Sequence, residues 1–382
     1  MRQSVLLPLL AAGTLCVLCS NCRSSEQNAA PTRARGVGEA PSGSSARNIP
    51  SLGGNPADLA ALRSLLSTSS FETTATEHFV VLHKPNATYV EGACRTLEYA
   101  YGHFYEVFAQ AGFSLSRPQE RLVWICFPKK SGFSKYALQA EGMDLSWLDG
   151  YYSTLTNCVA VVQQDQRTRP REEPGGASAG DVRVAVAAHR SPHGGVLPMS
   201  AAGQRFDVTR MTHEVAHQLS FNSGIQKRGV IYPLWVSEGL ATNFEFDASV
   251  LGAGLEHDNA ARCRGLLEAY QTGELIPLRQ LVVQATVPPD THVGRRYYAQ
   301  AWGFFQFILL ERSEGLRTYL HRLAAGRTEH RDASAMLREF TSAFGPPETL
   351  ELAWNEFLAR EAQRASAQHP GFDTAPGTAV AP

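Results

Sequence analysis

The spacing of apolar positions changes several times along the chain, and each change marks an element. His78-Phe79-Val80-Val81-Leu82-His83 is an apolar run halted by Lys84-Pro85-Asn86, which predicts a strand. Val90, Ala93, Cys94, Leu97, Tyr101, Phe104, Val107 and Phe108 then recur at three- and four-residue intervals, predicting an amphipathic helix over 89–111. A second apolar run at 121–127, ended by Pro128, predicts another strand. Residues 150–153 and 157–162 read as a hairpin. The polar stretch 164–180, with Pro and Gly, predicts a loop, and 182–188 a further strand. From Phe206 onward the period is helical. Helices are expected at 208–221, 234–246, 256–270, 296–311, 317–323 and 347–364. The fold class that follows is α+β: a small mixed or antiparallel sheet lobe at 76–205, then a helical lobe at 206–366.

The two ends have a different texture. Val5 to Cys19 is apolar apart from Pro8, Gly13 and Thr14, and it follows a positive charge at Arg2. It is too short to span a bilayer comfortably, and residues 1–22 read as a secretion signal. Residues 23–75 are rich in Ser, Ala, Gly, Pro and Asn, the composition of a flexible tether, with a short helix at 57–66. Residues 367–382 read as a disordered tail. The chain is therefore expected outside the cytoplasm. It is either held at the cell envelope by a lipid on Cys22 or released, and Asn21 is a poor fit to the small residue that usually precedes a lipidated cysteine. Past the signal the cysteines are Cys94, Cys126, Cys158 and Cys263. Cys126 and Cys158 fall on strand candidates and become neighbours if those strands pair, although four cysteines allow three pairings.

Hydrophobic residues make up 43% of the sequence and charged residues 19%, so a core is affordable. The formal net charge of −1 gives no reason to expect nucleic acid or an anionic membrane surface as a partner. Candidate chemistry lies in Thr212-His213-Glu214-Val215-Ala216-His217-Gln218, an HExxH sequence. On a helix, residues four apart share a face, so the imidazoles of His213 and His217 can converge on one ion. Glu214 is set beside a water on that ion rather than in its shell. Twenty residues separate His217 from Glu238 in Leu234-Trp235-Val236-Ser237-Glu238-Gly239-Leu240-Ala241, enough for a turn and a returning helix that starts after Pro233. Glu238 is then the third ligand. Gly239 and Ala241 would allow the two helices to close around the ion, and zinc suits such a histidine and carboxylate set.

HExxH followed by Trp-x-x-Glu-Gly-x-Ala resembles the gluzincin clan of zinc metallopeptidases. More closely, His-Glu-x-x-His-Gln-Leu-x-Phe-Asn, Pro-Leu-Trp-x-x-Glu-Gly-Leu-Ala and Tyr-Ala-Gln-Ala-Trp resemble a family of exported bacterial proteins grouped as a gluzincin-like domain of unknown function. The likeness spans roughly 76–310. It implies a helical lobe under a small sheet whose edge strand lines a substrate cleft, and hydrolysis of a peptide or protein by a zinc-activated water with Glu214 as general base. It also implies an oxyanion donor from a downstream helix, Tyr298 or Tyr297. One departure stands out: many gluzincins carry an aspartate four residues after the glutamate ligand to hold a ligating histidine. Here that position is Thr242, with Asn243 and Glu245 as alternatives. A zinc-bearing binding protein that does not cut, or a hydrolase of a non-peptide amide or ester, are the other readings.

Overall fold

The computed structural model describes residues 71–163, 208–245, 259–288, 290–325 and 331–368. The signal, the tether up to residue 70 with its helix at 57–66, the loop at 164–180, the strand at 182–188 and the tail from 369 lie outside the described residues.

Five strands form one mixed sheet in the order β1-β2-β3-β5-β4: β1 (Glu72–Ala75), β2 (Phe79–His83), β3 (Leu122–Phe127), β4 (Gly150–Tyr152) and β5 (Cys158–Val162). The inner pairs β2–β3 and β3–β5 are parallel, while β1–β2 and β4–β5 are antiparallel. Parallel neighbours need a crossover. Helix α1 (Ala87–Gln110), started by the Asn86 side chain accepting from the Tyr89 amide, supplies the first, and α2 (Lys130–Glu141) lies on the path to the second. Both faces of the sheet are covered, so β2 and β3 are buried at every position and read as continuous apolar runs rather than alternating ones. Phe79, Val81, Trp124 and Cys126 join α1 in the main core, while Val80, Leu82, Ile125 and Phe127 pack with Phe133, Tyr136 and Ala137 of α2.

Eight helices follow among the described residues: α3 (Val208–Asn222), α4 (Leu234–Thr242), α5 (Ala260–Gln271), α6 (Leu278–Leu281), α7 (Thr291–Glu311), α8 (Ser313–Ala325), α9 (Ala333–Phe344) and α10 (Pro347–Gln368). Their core is continuous with that of the sheet: Trp124 and Phe104 belong to the same cluster as Trp235 and Phe304. Trp235 stacks on Tyr319 with centroids 5.6 Å apart and meets Phe304 edge-on. Among the described residues, no helix is long and apolar enough to cross a membrane.

Several expectations change. The tether ends before Glu72, because β1 pairs with β2 and Thr74 Oγ1 lies 2.9 Å from His83 Nε2. The helix expected at 234–246 stops at Thr242, where the Asn243 side chain donates to the carbonyls of Gly239 and Trp302. Cys126 and Cys158 do sit on adjacent strands, but Cys126 pairs with Val161 and Cys158 with Val123. An offset of three residues puts them on opposite faces of the sheet. None of Cys94, Cys126, Cys158 and Cys263 forms a disulfide among the described residues, and burial pushes the Cys126 thiol up to about 12.

Candidate metal centre

Helix α3 is buried along nearly its whole length, and His213, Glu214 and His217 all lie on it with almost no exposure. Gln218 moors it to the sheet. Its amide oxygen accepts from Trp124 Nε1 at 2.9 Å, and its nitrogen donates to the carbonyls of Asn157 at 2.9 Å and Val123 at 3.3 Å. Asn157 has a left-handed backbone (φ 58°), which turns its carbonyl toward that amide. These bonds fix the rotation of α3 about its axis and hence the direction in which both imidazoles point. The short edge strand β4 packs beside the same helix.

The structure brings together the three residues expected as ligands. His213 Nε2 and His217 Nε2 are 3.2 Å apart. Glu238 reaches them from α4, with Oε2 3.5 Å from His213 Nε2 and Oε1 3.6 Å from His217 Nε2. Donor atoms around a tetrahedral zinc at about 2.0–2.1 Å lie roughly 3.3 Å from one another, so these separations fit such an ion. At this separation the two nitrogens can share a proton carried by one ring, and a metal ion accepting both lone pairs would take that proton's place. Among the described residues, this trio is the only group of three or more His, Cys, Asp or Glu side chains arranged to hold a metal ion.

The surroundings demand positive charge. Burial disfavours the charged form of His213, but the carboxylates of Glu238 and Glu245 outweigh it and push its pKa up to about 10. Burial likewise opposes the charge on Glu238, and His217 and His213 overcome it to hold that carboxyl at about 2.

The departure at Thr242 now has a structural answer. The Thr242 hydroxyl donates back to the carbonyl of Glu238 at 2.7 Å, and Asn243 is committed to Gly239 and Trp302. Glu245 takes the role instead: its Oε1 lies 2.9 Å from His213 Nδ1. After Thr242 the backbone tightens, with the Phe244 amide donating to Ala241 and the Glu245 amide to Thr242, and Glu245 reaches His213 from this turn. Arg262 grips the same carboxylate through Nε at 3.2 Å and Nη2 at 3.1 Å, and Asn259 Nδ2 donates to Oε2. His217 Nδ1 is buried with no hydrogen-bond partner among the described residues.

Tyr297 and Tyr298 separate clearly. The Tyr297 hydroxyl donates to the carbonyl of Leu281 at 2.6 Å and is structural. The Tyr298 hydroxyl is buried with no hydrogen-bond partner among the described residues. Burial, then the charge of Glu238, raise its pKa well above that of an ordinary phenol, and Glu214 adds to the same field. It is a neutral donor beside the two glutamates.

Gly239 does allow a close approach, but to a different helix from the one expected. A Cβ there would stand 2.5 Å from the Ala301 carbonyl oxygen and 3.0 Å from Phe305 Cβ, so α4 crosses α7 rather than α3 at this point. Within the Tyr-Ala-Gln-Ala-Trp segment, Ala301 faces Gly239 and the Trp302 carbonyl accepts from Asn243, while Gln300 exchanges hydrogen bonds with the backbone of Ile276 at 2.8 and 2.7 Å. Sequence reasoning missed Gln218 as a mooring, although it directly follows His217, and missed Asn259 and Arg262, which carry no local signal.

Residues 207–328 match a family described as "Protein of unknown function (DUF1570)". The match covers both sequence motifs, Glu245, Arg262 and Tyr298. No curated protein matches the chain.

Proposed function

We propose that this protein is a zinc-dependent hydrolase of the gluzincin type, exported, and acting on peptide bonds. The observation that carries the reading is the convergence of His213 Nε2, His217 Nε2 and the Glu238 carboxylate at spacings a tetrahedral ion would bridge. A second consideration is charge. Glu214 and Glu238 are buried, and the Glu245 side chain is nearly so, which concentrates three carboxylates around the two imidazoles, with Arg262 paired to Glu245 among the described residues. Such a surplus of carboxylate favours a bound cation.

When bound, zinc supplies Lewis acidity to a coordinated water and to the scissile carbonyl. Glu214 lies on the helical turn between the two histidines, outside the trio, where its carboxylate can accept the proton from the attacking water and return it to the leaving amine. Tyr298 offers a neutral hydroxyl, with no other partner among the described residues, to the oxygen that gains charge as the carbonyl becomes tetrahedral. Glu245 accepts from His213 Nδ1 and so keeps the lone pair of that ring on Nε2.

The test is metal content together with peptide cleavage. The purified protein should carry about one zinc per chain. His213→Ala, His217→Ala and Glu238→Ala should each lose most of it. Glu214→Gln should keep zinc while cleavage of a peptide library falls roughly 10²- to 10⁴-fold. Equal cleavage by wild type and Glu214→Gln would overturn the mechanism. Bound zinc with no cleavage by wild type would favour a binding protein.

A further inference from the structure

We infer that Arg262 is a positioning residue for this centre, acting through Glu245 on His213 and, with the face of the same guanidinium, on Tyr298. The inference rests on the metal-site reading of His213, His217 and Glu238.

The Glu245 carboxylate is held by three residues. Oε1 meets His213 Nδ1 at 2.9 Å and Arg262 Nη2 at 3.1 Å; Oε2 meets Arg262 Nε at 3.2 Å and Asn259 Nδ2. Arg262 thus makes a two-pronged grip, the arrangement that a planar guanidinium forms with a carboxylate and an ammonium group cannot. Both gripping residues come from the start of α5. Asn259 caps that helix by accepting from the Arg262 amide at 3.2 Å, so the backbone beneath the grip is itself fixed. Glu245 has left α4 by this point.

The guanidinium carbon of Arg262 also stands 5.2 Å from the centre of the Tyr298 ring. One cation therefore touches the carboxylate that orients a ligand and the ring that carries the candidate oxyanion donor. Because the charge is delocalised over a plane, its edge can serve Glu245 while its face serves Tyr298. Without the fork, Glu245 would keep His213 and Asn259 but could rotate about its own side-chain bonds, and His213 would lose its fixed orientation.

The experiment is the zinc dissociation constant, measured against a chromophoric chelator, for the full chain as wild type, Arg262→Gln, Arg262→Lys, Glu245→Gln and the Arg262→Gln/Glu245→Gln double variant, with thermal midpoints for each. Arg262→Gln should weaken zinc about 10- to 100-fold, the usual cost of losing an outer partner of a ligand. Arg262→Lys should recover part of the loss, since it restores charge without the fork. The double variant should lose no more than the worse single one, because both changes break one chain of contacts. Unchanged affinity in Arg262→Gln would overturn the inference, and strictly additive losses would overturn the route through Glu245. If Arg262→Gln fails to fold, wild-type affinity in Arg262→Lys would be equally fatal. A wild type that takes up no zinc would instead refute the metal-site reading itself.

Discussion

Tyr297 and Tyr298 are adjacent in sequence, yet their hydroxyls face different tasks, and this separates a structural phenol from a chemical one. Tyr297 donates to the Leu281 carbonyl inside the core. Tyr297→Phe leaves that buried acceptor unmet, at a cost of about 1–3 kcal/mol, and should lower the thermal midpoint while turnover on a cleaved peptide stays near wild type. Tyr298→Phe removes a hydroxyl that makes no hydrogen bond among the described residues. It should leave the midpoint almost unchanged and reduce kcat more than it raises KM, since the oxyanion forms only on the way to the transition state. Thermal scans and kinetics on one peptide decide the matter, and the reverse assignment would show in the same two numbers. At this scale His213, Glu214 and His217 were legible because helical periodicity fixes their relations over a few residues, and Glu238 because twenty intervening residues suffice for a turn and a returning helix. The histidine partner was not, because choosing among Thr242, Asn243 and Glu245 depends on where α4 ends. Arg262 was invisible, since nothing local in its sequence says that it lies beside Glu245.

Helices and strands were legible where burial left a mark on the sequence. The unbroken runs of β2 and β3 and the periodic α1 were readable because each has core on a whole face or on both. Strand β1 gave no signal because its residues are mostly exposed. Helix α2 buries only Phe133, Tyr136 and Ala137, and α9 only Met336 and Phe340, too few to separate a helix from polar connecting chain. Gly239 shows what a motif can hide. It reads as clearance for the metal helices, but the space it leaves is occupied by the backbone of α7 at Ala301. A carbonyl oxygen within a helix cannot swing aside as a side chain end can. Gly239→Ala should therefore force α4 and α7 apart at a cost of about 1–3 kcal/mol, the usual range for overpacking. Because Glu238 is the preceding residue, the same displacement should weaken zinc retention. A thermal midpoint and metal content both equal to wild type would mean that the crossing relaxes freely.

At the scale of the whole molecule, the sheet and the helical region share one core, and His103 lies where they meet. It projects from α1, stacks near Tyr99 with centroids 6.0 Å apart, and meets Phe244 edge-on at 5.8 Å, just before Glu245. Burial pushes its pKa down from the usual 6.5 to about 4, because the imidazolium would lose its hydration there. The unfolded chain therefore binds a proton at pH 5 that the native protein refuses. The stability His103 contributes is complete above pH 6.5, is lost as pH falls from 6.5 to about 4, and changes no further below that. The shift corresponds to roughly 3 kcal/mol, a large share of the net stability of a typical domain. Denaturant midpoints of metal-free protein between pH 7 and pH 4 should fall accordingly, with the loss carried by sheet and helices together because their core is common. His103→Gln should start less stable at pH 7, since an amide is buried in place of a ring, but its midpoint should decline less steeply toward pH 4. Parallel declines in wild type and His103→Gln would place the acid sensitivity in other groups.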